Sequence, residues 1–268
     1  MRTRAASRSA AAVVLLLAAG CSRPAAPVTS VQRIITLAPN LTQIVCAVGA
    51  GDRIVATDDF SDDPPAVKKL PKVGGMEPNV EKIVTLHPGL VLATSSRNDA
   101  RLARSLAAVH IPFVVVPTDR LEDIPRAMER VGDLLHVDGR PAADKLRRDV
   151  AAQKRVRPRK PRVLFAVWAD PLYVAGRNTF GDDLFVLTGA ENAVQITGWP
   201  QYSLESLTAS PPDVVLYAEG PVTRAQIEKL MRRHVAIAGV DDNLFTRPGP
   251  RVAEAAAALN RILDRTLQ

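Results

Sequence analysis

A chain of 268 residues, 47% hydrophobic and 24% charged, has the composition of an ordinary globular protein and the length for two cores. The formal charge of +7 includes Arg2, Arg4 and Arg8, and +4 remains without them. Much of that is the run KRVRPRKPR (154–162), which follows a helical pattern and reads as a solvated helix end, so no nucleic-acid partner is expected.

MRTRAASR is basic, and AAAVVLLLAAG is apolar but too short to span a bilayer comfortably. Residues 1–20 are therefore expected to be a cleaved signal peptide. LAAGC resembles the lipobox of bacterial lipoproteins, with Ala18 where leucine is most usual. On that reading Cys21 is the acylated N-terminus and residues 21–31 are a lipidated tether; the alternative is an ordinary signal with a chance cysteine. Cys46, in the apolar pattern LTQIVCAVGA, is then left without a disulfide partner and reads as a small buried residue.

From residue 32 to 120, strand and helix patterns alternate. RIITL (33–37), RIVAT (53–57), LVLAT (90–94) and PFVVVP (112–117) read as strands. NLTQIVCAVGA (40–50), VEKIVTL with Asn79 as its cap, and NDARLARSLAAVH (98–110) read as helices. Residues 121–158 carry no strand-like run; Ile124, Met128, Val131 and Leu135 repeat at helical spacing, and AADKLRRDVAAQ continues after DGRP. Alternation resumes over 159–268, with strands at RVLFAVWA (162–169), VVLYA and HVAIAGV and a closing helix from GPRVAEAAAALNRILDRTL. The fold class is α/β: two Rossmann-like lobes with mostly parallel sheets, joined by a long helical connector, with a ligand cleft between them.

One phrase occurs in both lobes. VEKIVTLHPGLVL (80–92) and LESLTASPPDVVL (204–216) align without a gap, setting Glu81 on Glu205, Ile83 on Leu207 and Pro88 on Pro212. A repeat at this distance is a domain duplication. Each glutamate sits near a helix start, where the macrodipole favours a carboxylate; a duplicated pair also presents one equivalent charge per lobe to a symmetric dimeric partner.

Enzyme signatures are missing: there is no GxSxG, HExxH, CxxC or GxxxxGK[ST]. GAGD (49–52) follows a helix and reads as its C-cap rather than a dinucleotide loop. The four histidines are dispersed without ligand spacing, and no metal site is expected. Ligands in parallel α/β sheets bind at the carboxyl ends of strands. Those ends carry Ala38, Pro39 and Asn40, then Phe60, then Thr94, and in the second lobe Trp168, Tyr173, Trp199, Phe245 and Arg247. Five of these are aromatic, in a chain with only 6 Phe, 2 Trp and 3 Tyr, which favours a large, flat, mostly apolar ligand.

FSDDPP (60–65), GMEPNVEKIVTLHPGLVLAT (75–94), TGAENAV (188–194) and WPQYSLESLTASPPDVVLYAEG (199–220) resemble the helical-backbone periplasmic binding proteins of ABC importers, over about residues 32–266. Within that family FSDDPP and WPQYS are most similar to the cobalamin-binding members. The resemblance implies a non-catalytic, exported, lipid-anchored monomer that carries cobalamin or a related corrinoid as transported ligand, with no cofactor of its own. It implies ring contacts from Phe60, Tyr173 and Trp199, ligand contact at Ala38 and Pro39, and docking of Glu81 and Glu205 on a dimeric permease with its ATPase. Gly75 or Met76, and Thr94, stand where those members have tryptophan. The readings left beside it are haem, with Tyr173 or Tyr202 on the iron, a ferric siderophore held by Arg97, Arg177 and Arg247, and an exported two-lobed enzyme.

Overall fold

The computed structural model describes residues 31–95, 100–231 and 235–266. The expected signal peptide, Cys21, nearly all of the tether, and Arg97 lie outside the described residues.

The first sheet has the order β2-β1-β3-β4, all parallel, from β1 (Ile34–Thr36), β2 (Ile54–Thr57), β3 (Leu90–Ala93) and β4 (Phe113–Val115). Helices α1 (Pro39–Ala47), α2 (Val80–Thr85) and α3 (Ala100–Ala108) connect them. All four residues of β3 are buried, as expected for a central strand covered on both faces. α1 opens on Pro39, whose missing N–H costs nothing in a first turn. The Asn79 Oδ1 accepts the Lys82 N–H at 2.8 Å and caps α2.

The connector is the helix pair α4 (Asp123–Leu135) and α5 (Arg140–Ala151). Ile124, Met128, Val131 and Leu135 form the buried stripe of α4, each contributing about 1.5–3 kcal/mol by burial. His136 ends α4 in the left-handed region at φ 54°, as His87 and His110 end theirs at 46° and 59°. These three histidines are turn residues.

The second sheet has the order β6-β5-β8-β9, from β5 (Arg162–Ala169), β6 (Leu172–Val174), β8 (Val214–Glu219) and β9 (Ala236–Asp241). A two-residue strand β7 (Glu191–Asn192) also pairs with β5. β6 runs antiparallel to β5 and was not anticipated from the sequence; the other described pairs are parallel. Helices α6 (Phe180–Leu187), α7 (Leu204–Ala209), α8 (Arg224–Leu230), α9 (Asp242–Phe245) and α10 (Val252–Thr266) complete the lobe.

The repeated phrase occupies equivalent places. Its helices are α2 and α7, and its closing triplets begin the central strands β3 and β8. Ile83 and Leu207, the aligned apolar pair, are both buried, each in the outer core of its own lobe. A third and larger core is shared. It runs from Ile34 and Leu41 through Met128 and Val131 to Phe165, Phe185 and Leu259, and so crosses both lobes and the connector without a break.

Candidate functional site

A cavity of about 630 Å³ opens between the lobes. In the first lobe the chain crosses from β2 on one side of β1 to β3 on the other, which is the switch point where open α/β sheets leave a crevice. The residues that follow these strands line it: Ala38, Pro39 and Asn40 after β1, Phe60 after β2, Thr94 after β3, Thr118 and Asp119 after β4.

The loop bearing Phe60 is held by buried hydroxyls. Thr42 Oγ1 lies 2.6 Å from Thr36 Oγ1 and 2.8 Å from Ser61 Oγ, and Ser61 donates on to Asp58. Gln43 Nε2 donates to Asp63 Oδ2 at 2.8 Å, fixing the far end of the loop to α1. A side chain at Gly75 would meet the Phe60 ring, its Cβ only 3.2 Å from Cζ, so glycine lets the ring lie against the 74–76 turn. Phe60 remains 49% exposed at the cavity mouth, with Met76 beside it on the lining.

Trp199 and Phe180 form the wall contributed by the second lobe. Two strands of chain are zipped together beneath them: Gly176 N–H donates to Gly198 O at 2.8 Å, Arg177 N–H to Ile196 O at 2.8 Å, and Gly198 N–H to Arg177 O at 2.9 Å. Any Cβ on residue 176 would lie 2.0 Å from Ile196 O, so only glycine permits the approach. Asn178 then takes φ 60°, and Thr179 caps α6 by accepting the Asp182 N–H at 3.2 Å. Phe180, buried at the first position of α6, sets its ring 6.2 Å from that of Trp199 at 48°. Trp199 keeps 43% exposure toward the cleft.

The polar lining is acidic. Asp119 comes from one lobe and Asp242 from the other; burial pushes the Asp242 carboxyl up from its ordinary range. Arg247 reaches across to Asp62, Nη1 to Oδ1 at 2.5 Å. Burial alone would raise the Asp62 carboxyl, but the hydrogen bond and charge of Arg247 prevail and hold it below the usual aspartate value. Asn40 also spans the lobes, donating to Thr118 Oγ1 at 2.9 Å and Pro248 O at 3.2 Å.

Of the residues singled out in the sequence, Ala38, Pro39, Asn40, Phe60, Thr94, Trp199 and Arg247 meet in this lining. Phe245 does not. It lies in α9, 2% exposed, packed edge-on against Phe165 with ring centroids 5.9 Å apart, and is a core residue. Trp168 and Tyr173 are not in the lining either. They are paired across the β5–β6 hairpin, and the Trp168 indole N–H donates to Asp170 O at 3.0 Å. Of the five aromatics, Phe60 and Trp199 line the cavity and Phe245 is a core residue of a short helix, while Trp168 and Tyr173 stay exposed on the β5–β6 hairpin. Phe180, Asp119, Asn178 and Asp242 were missed; for Phe180 the turn GRNT before an apolar helix start was the available signal.

Arg177 is held by Gln195 at 3.1 Å and lies 3.6 Å from Asp182, apart from Arg247. Tyr202 is buried in the outer core of its lobe. Among the described residues, no tyrosine or histidine lines the cavity and no cluster of side chains suits a metal ion. Glu81 and Glu205 lie in the first turns of α2 and α7, capped by Asn79 and Ser203, and among the described residues neither carboxylate makes an ion pair. No described helix is long and apolar enough to cross a membrane.

Residues 34–238 match the model of a family described as periplasmic binding protein. A vitamin B12-binding protein from Pectobacterium carotovorum subsp. carotovorum (strain PC1) is 29% identical over 239 residues, covering 84% of this chain and 86% of the relative. The periplasmic haem-binding protein RhuT from Roseiflexus sp. RS-1 shares the fold at a TM-score of 0.78, with 24% identity over 89% of this chain and 100% of that one. The periplasmic vitamin B12 binding protein BtuF of Vibrio cholerae shares it at 0.72, again with 24% identity, over 89% of this chain and 99% of that one.

Proposed function

The chain belongs to the periplasmic binding protein family, a family of solute-binding proteins, and on that premise we propose that it captures cobalamin or a related corrinoid and delivers it to an ABC permease. The observation that carries this reading is the make-up of the cleft. Phe60 and Trp199 offer flat apolar walls from opposite lobes, while the described lining residues include no tyrosine or histidine and only Met76 among side chains of a kind that ligates haem iron. A corrinoid brings its own axial ligand and asks only for walls and for hydrogen-bond partners at its amide edge. Asn40, Asn178, Asp119 and Asp242 supply such partners. A ferric siderophore, usually anionic, would find Arg247 already paired and Arg177 elsewhere.

In this reading Ala38, Pro39 and Thr94 complete the floor of the site, and Glu81 and Glu205 dock on the two permease subunits. Cys21 anchors the exported chain, as a monomer, to a membrane by lipid.

Titration of the purified protein with cyanocobalamin, haemin and a ferric siderophore tests the ligand. Saturable quenching of Trp199 fluorescence by cyanocobalamin, lost in Trp199→Phe, is the expected result. Binding of haemin or the siderophore with no response to cyanocobalamin would remove the reading.

A further inference from the structure

Among the described lining residues the cleft has one cation, Arg247, against the carboxylates Asp119 and Asp242. Arg247 does not face the cavity as a free charge. Its side chain is only 13% exposed and is held by Asp62, which comes from the opposite lobe, 185 positions earlier, and is itself 44% exposed. A guanidinium this desolvated requires a partner, and one carboxylate satisfies its charge. The neighbouring Asp63 is not a substitute, since it accepts from Gln43 and lies 3.5 Å from Arg251. Asp62 is not among the described lining residues, and its hydrogen bond to Arg247 is the contact that ties it to the cleft.

We propose that Asp62 determines specificity: by consuming the charge of Arg247 it sets the cleft to accept flat ligands edged with neutral amides and to reject those edged with carboxylates. This deepens the reading of the cleft as a macrocycle site and rests on it. A carboxylate-edged ring entering the cleft meets Asp119 and Asp242, while the one guanidinium that would welcome it is already neutralised. An amide edge meets the same groups at no Coulombic cost and donates hydrogen bonds to both aspartates. Replacing Asp62 by asparagine keeps a hydrogen-bond acceptor for Arg247 but releases the positive charge to the cleft.

Three probes separate these effects: cyanocobalamin, haemin with its two propionates, and haemin dimethyl ester, in which both are masked. In the wild-type protein the ester binds more tightly than haemin. In Asp62→Asn the affinity of haemin relative to its ester rises about tenfold, as one partly screened unit charge at short range allows. Asp62→Ala shifts the ratio the same way, and the gain shrinks as salt is raised. Haemin binding the wild type more tightly than its ester would overturn the proposal without needing any variant. So would a haemin-to-ester ratio unmoved in Asp62→Asn. If cyanocobalamin fails to bind while the haemin ratios behave as stated, the corrinoid reading falls and this one stands; the reverse pattern sinks this one alone.

Discussion

The rings of Phe180 and Trp199 stand 6.2 Å apart at 48°, one buried at the head of a helix and the other half in the cleft. Phe180 is therefore the support and Trp199 the surface. Trp199→Ala is expected to weaken cyanocobalamin binding at least tenfold, about 1.4 kcal/mol, with little change in thermal stability. Phe180→Ala is expected to cost about 3–5 kcal/mol of stability as well, since it empties a filled core position. Calorimetric titration and thermal unfolding of the two variants distinguish the roles.

Gly176→Ala forces a Cβ to within 2.0 Å of the Ile196 carbonyl and must push the 196–199 strand outward. A loss of about 1–3 kcal/mol is expected from the overpacking. Because that strand carries Trp199, ligand affinity should fall with it. At Gly198, φ is +80° but the space is open, so alanine there costs only the backbone strain, about 1–2 kcal/mol. Denaturant unfolding and titration of both variants test whether the approach at Gly176 matters more.

Acid should loosen the cleft through Asp62. Its folded-state value is lowered, so its ion pair contributes fully above the ordinary aspartate value and is lost as pH falls through the lowered one. Wild-type stability should therefore drop relative to Asp62→Asn as pH falls below about 4. Asp242 has a raised value and works in the opposite direction, penalising the fold as pH rises through its titration, so its contribution must be removed by comparing at fixed Asp242. Unfolding midpoints for the two proteins between pH 2 and 6 decide it, with parallel curves as the contrary outcome.

Glu81→Ala and Glu205→Ala leave the cavity untouched and are expected to bind ligand as the wild type does. Uptake in a cell that depends on this protein should fall for each and more steeply for the pair. Loss of ligand binding in the single variants would show that these helices shape the cleft instead of meeting a permease.

The sequence was most readable where elements carry their own punctuation. Asn79 caps α2 as its position suggests, and the apolar stripe of α4 lies buried at the spacing read from it. The repeat at 80–92 and 204–216 located two central strands. Where the signals were short, tertiary context decided. Leu172–Val174 is three residues after a proline, and only pairing with β5 makes it a strand. Phe245 sits in a four-residue helix whose burial depends on Phe165, 80 positions away. Asp62 gave no sign of its partner, because an ion pair spanning 185 positions leaves no local trace.

One buried core is continuous across the two lobes and the connector. Phe165, Leu259 and Val131 belong to one buried cluster, and a wide opening of the cleft would set them against water. On the proposed function, a partner that grips both lobes would have to meet the cost of exposing that cluster, so the timing of delivery would lie with the partner.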